Sequence, residues 1–334
     1  MKAIRITAPG GLNRLALHDI EEAREPGPGE VRVRLHASSL NFHDYGVVSG
    51  AMNPVDGRIP MSDGAGVVEA AGADAEFKPG DHVVSTFFPF WLEGPAPIGD
   101  FTTTPGDGVD GYAREAVTLP ATAFTKAPEG WSHEEAATIT TAGLTAWRAL
   151  VVEGGLKAGD DVLILGTGGV SIWALQIARA MGARVFGTSS SDEKRDRLEE
   201  MGAHATVNYK NDADWGRTIR EMTGGRGADH VVEVGGPATL NQSIEACRIA
   251  GHMALIGVLT GRSGEIPTAK MMAKQQRLQG LIVGSRAMQA DMVRAMETTG
   301  IRPVIDKTFP LADIADAFRH QEAGAHFGKI CLSI

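Results

Sequence analysis

Four apolar residues, Val162 to Leu165, run into Gly166-Thr167-Gly168-Gly169-Val170, and a helical pattern follows through Met181. No other stretch restricts the fold so tightly. A short apolar strand meeting glycines and then a helix is one strand–turn–helix unit; the glycines let the backbone turn sharply and approach a bound group. Backbone N–H groups and the helix N-terminus then form a cradle for a pyrophosphate. The pattern is Gly166-x-Gly168-x-x-Ser171, with serine where a third glycine usually lets helix and strand pack closely. The bland alternative is an ordinary strand-to-helix turn, but the flanking elements fall at the spacing that a dinucleotide-binding unit needs.

From about Trp131 helices and strands alternate. Helices are predicted over 133–151, 169–181, 192–201 and 237–249. Strands are predicted at Val162–Leu165, Arg184–Thr188, His230–Val234, Met253–Val258 and Leu278–Val283. Such alternation predicts an α/β domain, a Rossmann-type doubly wound parallel sheet spanning 131–286. Residues 1–130 are rich in turns and short strands (Val31–Leu35, Gly66–Ala70, Asp81–Val84) and predict a β-rich domain, with 87–112 as a long loop. The tail, 287–334, carries an amphipathic helix near Leu311–Glu322 and a last strand at Gly328–Ile334, and is expected to fold back onto that first domain.

Bulk properties narrow the function. A net charge of −9 without a basic cluster argues against a nucleic-acid partner. Two cysteines, Cys247 and Cys331, exclude a disulfide framework and a four-cysteine zinc site. No apolar stretch approaches the ~20 residues that a spanning helix needs, and the first residues alternate like a strand, so no membrane partner is expected and the cytoplasm is the expected location.

The second predicted strand leads into Ser189-Ser190-Ser191. At this distance past the turn, about 20 residues, an NAD enzyme usually places a carboxylate for the ribose 2′-hydroxyl. Ser189 and Ser190, with Lys194 and Arg195 nearby, suit a 2′-phosphate instead, so NADPH is expected over NADH. The alternative is that Ser191 or Asp192 only caps the next helix. Both can hold at once.

With these residues in hand, the chain resembles the medium-chain dehydrogenase/reductase superfamily over essentially its full length. The resemblance rests on Asn41-Phe42-His43-Asp44, Gly66-Val67-Val68, Pro79-Gly80-Asp81-His82-Val83, the glycine turn, Gly202-Ala203 with Asn208-Tyr209, and Gly328-Lys329-Ile330. Within the superfamily it looks most like the zinc-free quinone oxidoreductase branch. Asn41 stands where zinc alcohol dehydrogenases carry their first cysteine ligand, and Ser62-Asp63 replaces their His-Glu pair. Phe87-Phe88-Pro89-Phe90-Trp91 and the loop beyond replace their four-cysteine lobe. No metal is therefore expected.

The resemblance implies a GroES-like catalytic domain and an NADPH-dependent reduction of quinones or α,β-unsaturated carbonyls without zinc. Asn41, His43, Asp44 and Tyr45 lie on the segment that lines the cleft of similar enzymes. Asn41 suits donation to a ribose or carbonyl oxygen, and Asp44 suits orienting its neighbours. His43 suits proton delivery, or equally a hydrogen-bonded structural role. Thr141, Thr145 and Tyr209 are implied cofactor contacts, together with Gly257-Val258-Leu259, Gly284-Ser285 and Phe327, each of which is otherwise a plain strand-end turn. Phe87, Phe88, Phe90 and Trp91 either wall an apolar pocket for a small carbonyl or quinone substrate or only fill space. Leu278–Val283 as the sheet's last strand implies a homodimer, as an unpaired edge also favours. Two readings compete: a metal-free alcohol dehydrogenase, and a nucleotide-binding protein without turnover.

Overall fold

The strand Asp161–Leu165 is buried along its whole length, as a parallel strand covered on both faces must be. In the computed structural model, which describes residues 1–334, the chain divides into two units. The second unit, Thr145–Ile282, holds this strand at the middle of a six-stranded sheet. Its order is Ala205–Asn208, Arg184–Ser189, Asp161–Leu165, Ala228–Glu233, Cys247–Leu255, Arg277–Gly280, and every pair is parallel. The order reverses at Asp161–Leu165, the switch point beside which doubly wound sheets bind ligands. Helices Gly169–Ala180, Asp192–Glu200, Trp215–Met222 and Pro237–Ala246 connect the strands. Leu163, Phe186, Val231, Ile244 and Met253 share one buried core.

The first unit comprises Met1–Leu144 and Val283–Ile334. Its main sheet runs Ile305–Pro310, Lys329–Ser333, Glu30–Ser39, Ala65–Ala71, His82–Ser85, Phe124–Lys126, and Ala116–Pro120 also pairs with Glu30–Ser39. In Glu30–Ser39 the buried residues alternate as Val31, Val33, Leu35 and Ala37, the period of a strand with one face to the core. The tail joins this unit through antiparallel pairing of Cys331 with Ser39.

The predicted helix over 133–151 is a series of helical turns. A regular turn His133–Ala137, capped by Ser132, widens into a π-helical turn at Ile139–Gly143; Leu144–Trp147 and a second wide turn, Arg148–Val152, follow. Residues 131–144, which the sequence pattern assigns to the nucleotide-binding domain, lie in the first unit. The bonds Ser39 Oγ to Ala137 O (3.3 Å) and Thr140 Oγ1 to Ser85 O (2.9 Å) hold them there. Residues 283–286 are in the first unit as well, with the Arg286 guanidinium donating to Phe124 O at 2.8 Å. The helix Arg286–Thr299 and the strand Ala205–Asn208 are further elements that the pattern did not predict. No helix is long and apolar enough to cross a membrane.

Candidate functional site

In the second unit the candidate site is made of backbone. Gly166 has φ +72, a conformation that costs an L-residue roughly 1–2 kcal/mol, so glycine is required there. Its N–H donates to Thr188 O (2.8 Å), pinning the turn to the neighbouring strand. Gly168 is the N-cap of Gly169–Ala180, no side chain caps that helix, and the first helical bond runs from Ile172 N to Gly168 O. The first-turn N–H groups, including that of Val170, are left to an outside acceptor. A Cβ built on Gly166 or Gly168 would meet nothing within 4 Å. That open cradle fits a pyrophosphate. Thr167 is buried within the turn. Ser171 donates from Oγ to Leu165 O at 2.7 Å, so a hydrogen bond does the packing that the usual glycine would allow.

At the end of Arg184–Ser189, Ser189 is 3% exposed and its Oγ accepts from Ser191 N (3.2 Å). Ser191 caps the next helix, accepting from Lys194 N at 3.3 Å. Ser190 and Lys194 are half-buried beside this turn. Arg195 is committed to Thr206 and Asp192. Tyr209 is 44% exposed just past Ala205–Asn208. Gly257 packs on Val234, while Val258 and Leu259 are exposed. Thr145 is buried in this unit.

In the first unit the candidate site is made of side chains. Asp63 is fully buried. Its Oδ2 accepts from Ser39 Oγ (2.6 Å) and Asn41 Nδ2 (2.8 Å), and its Oδ1 accepts from Thr141 Oγ1 (2.6 Å). Asp44 Oδ2 accepts from Asn41 N (2.9 Å) and Nδ2 (3.0 Å), and Oδ1 from Ser62 N (2.8 Å). Lys329, 3% exposed, donates from Nζ to Leu40 O and Asn41 Oδ1, both at 2.6 Å, and stands 3.8 Å from Asp63 Oδ2. Burial pushes the Asp63 carboxyl up to about 6 and pushes the Lys329 ammonium down; each offsets part of the other's shift. Met61, at φ +80, turns the chain into Ser62-Asp63, a backbone strain next to the cluster. Thr141 lies in the wide turn Ile139–Gly143, and such turns recur at functional sites.

Several residues singled out from the sequence converge here, and others do not. Asn41, Asp44 and Thr141 belong to one network. Both protons of the Asn41 amide are already shared among Asp44, Asp63 and Ser39 O, leaving none for a substrate oxygen. Tyr45 is on the same helix but donates to Glu322 Oε1 (2.7 Å) and packs near Phe318. His43 packs against Phe87 and Phe101, with Nε2 3.3 Å from Asp107 Oδ2 but not aligned as a hydrogen bond. Phe87, Phe88 and Trp91 are buried, whereas Phe90 is exposed. Ser285 caps Arg286–Thr299, Gly284 packs on Leu144, and Phe327 is buried with its N–H on Asp306.

Two residues escape a sequence reading. Lys329 stands in the closing motif Gly328-Lys329-Ile330, which by itself assigns it no role. Glu233, fully buried, accepts from Gly235 N, Gly236 N, Thr239 Oγ1 and Ser243 Oγ and so shapes the turn after its strand. The available signal is a charge inside an apolar strand, which must be paired when buried.

Residues 27–129 match the alcohol dehydrogenase GroES-like domain family and 169–298 the zinc-binding dehydrogenase family. A zinc-type alcohol dehydrogenase-like protein of Schizosaccharomyces pombe is 40% identical over 97% of this chain and 96% of its own. The quinone oxidoreductase of Pongo abelii is 30% identical over 95% and 92%. A solved structure named as an NAD-dependent alcohol dehydrogenase superposes with TM-score 0.90 at 36% identity, covering all of both chains. A mycobacterial protein complexed with NADPH does so at 0.82 and 28%, also covering all of both chains.

One family name implies zinc, and the residues here do not fit it. No three His, Cys, Asp or Glu side chains gather to hold an ion. Asp44 and Asp63 each accept three hydrogen bonds from protein donors, and the Lys329 ammonium stands 3.8 Å from Asp63. The GroES-like and nucleotide-binding regions, the glycine cradle and the full-length relatives agree: the chain belongs to the medium-chain dehydrogenase/reductase superfamily and is an NAD(P)H-dependent oxidoreductase.

Proposed function

We propose that this enzyme uses NADPH to reduce quinones or α,β-unsaturated carbonyls by hydride transfer, without zinc. The observation that carries the reading is the donor set around Asp63, where amide and hydroxyl groups hydrogen-bond to both carboxylate oxygens and an ammonium stands 3.8 Å away. Without a Lewis acid to polarise the acceptor, an electron-poor one such as an enone or quinone is the easier to reduce. The similarity to a quinone oxidoreductase supports the same substrate class.

When bound, the reduced nicotinamide supplies the hydride. The backbone of Gly166–Val170 holds the pyrophosphate, and Ser189, Ser190 and Lys194 take the 2′-phosphate; no carboxylate at the strand end repels it. In an enone the β-carbon gains the hydride, the electron pair moves to the carbonyl oxygen, and one proton restores neutrality. Thr141 gives its one proton to Asp63 and so presents its oxygen as an acceptor, while His43 in its aromatic surround is the candidate proton donor. The strand Arg277–Gly280 is an open sheet edge that a second copy would cover.

The test is consumption of NADPH or NADH over a panel of quinones, enones and alcohols, with and without chelator. The reading expects chelator-insensitive turnover of enones or quinones with NADPH. NAD-dependent alcohol oxidation lost on chelation would replace it, and tight NADPH binding with no turnover would favour a binding protein. Light scattering checks the dimer.

A further inference from the structure

Lys329 is the one cation of the buried network in the first unit. A buried ammonium is costly unless fully bonded. Cys331, two residues on and therefore on the same face of the strand, is a buried uncharged side chain, so the position does not require a charge for burial. What the charge does is visible in its partners. By donating to Asn41 Oδ1, Lys329 decides which end of that amide is oxygen, so the Nδ2 protons must face Asp44 and Asp63. Asp63, with Oδ2 turned toward Asn41 and the ammonium, leaves Oδ1 for Thr141. Orientation thus passes from Lys329 through Asn41 and Asp63 to a half-buried hydroxyl. Leu40 N donates to Ile330 O at 2.9 Å, which locks the lysine strand to the segment that it serves.

We infer that Lys329 is a positioning residue whose fixed ammonium takes the electrostatic place of a metal ion, holding Asn41 and Asp63 in one arrangement and, through Asp63, aiming Thr141. The inference rests on the metal-free reading above, but two of its three tests need no substrate. In the first, selectively ¹⁵N-labelled asparagine reports the Asn41 side-chain amide. Slowly exchanging protons with shifts displaced from those of a free side-chain amide are expected in the wild type, and fast-exchanging protons near the free-amide shifts in Lys329→Met; an unchanged signal in the variant overturns the inference. In the second, the protein is incubated with zinc and dialysed. The wild type is expected to retain none at this site, and one equivalent lost on Asp63→Asn overturns it.

In the third, Lys329→Met, similar in length without the charge, is expected to lower kcat about a hundredfold while the KM for NADPH changes by less than about twofold. Wild-type kcat in the variant overturns the inference. Should Lys329→Met not fold, Lys329→Ala is assayed with added n-butylammonium or n-butanol. Rescue of turnover by the ammonium alone supports the inference, and equal rescue by both, or by neither, overturns it. Absence of turnover in the wild type with every quinone and enone would sink the substrate reading, leaving the amide and zinc tests to judge Lys329.

Discussion

The two candidate sites are built on opposite principles. The cradle in the second unit uses consecutive residues and presents main chain; its requirements are a positive φ at Gly166 and the missing side chains at Gly166 and Gly168. The cluster in the first unit draws Ser39, Asn41, Asp44, Asp63, Thr141 and Lys329 from distant parts of the chain and presents side chains whose charges offset one another. The first design tolerates an empty site, because an exposed helix N-terminus is solvated. The second must be complete to be stable, because each buried group depends on its neighbours.

The largest expected effect breaks the second design. Asp63→Ala leaves the Lys329 ammonium buried without its counter-charge and should destabilise the protein by about 3–5 kcal/mol, measured by urea unfolding. A loss below about 1 kcal/mol would mean that the network is not coupled in this way. The corresponding change in the first design separates binding from stability. Gly168→Val places atoms in the open cradle and should weaken NADPH binding by about a hundredfold, about 2.7 kcal/mol, with unfolding almost unchanged. Calorimetry showing wild-type affinity would move the cofactor elsewhere.

A smaller effect concerns cofactor choice. Ser189→Asp puts a carboxylate at the strand end and should shift the NADPH-to-NADH preference about tenfold toward NADH, about 1.4 kcal/mol. An unchanged ratio of kcat/KM values would mean that the 2′-phosphate binds elsewhere.

The smallest effect is in pH. Burial first, then neighbouring His36 and His82, hold His133 at about 4 in the first unit; burial and Arg277 do the same to His252 in the second. Both imidazoles are neutral when folded and take up a proton near 6.5 when unfolded, so their contribution is complete above about 6.5 and is lost as the pH falls toward about 4. Asp63 has the opposite sign, since its folded value near 6 lies above its unfolded 3.8, and its contribution grows over the same descent. Of these three groups, the first unit holds one of each sign and the second holds only an imidazole. Hydrogen exchange followed from pH 7 down to about 5 should show protection lost first in Asp161–Leu165 and Cys247–Leu255; earlier loss in Glu30–Ser39 would reverse the assignment.

The same contrast explains what could be read from the sequence. The glycine turn was legible because a short run of residues carries its whole conformational demand. Its neighbouring strands and helices followed from apolar periodicity. Arg286–Thr299 was not, although Ser285 and Gly300 were available in the sequence as start and stop signals. The strand Ala205–Asn208 is too short to show a period. Residues 131–144 fall with the first unit, and helical periodicity does not report the bond from Thr140 to Ser85 that helps to hold them there. In the cluster, Asn41 and Asp63 were legible as departures from a metal-binding pattern, but the buried ammonium that bonds to Asn41 was not. Lys329 reaches them through the antiparallel pairing of Cys331 with Ser39, a long-range closure that no local spacing encodes.

The central claim is hydride transfer to an electron-poor acceptor in a catalytic domain without a metal. It is tested most directly by following NADPH oxidation with an enone or quinone in protein whose zinc content is measured before and after exhaustive chelation. The account predicts undiminished turnover at no stoichiometric zinc. Activity that disappears with the chelated metal and returns on adding zinc would contradict it.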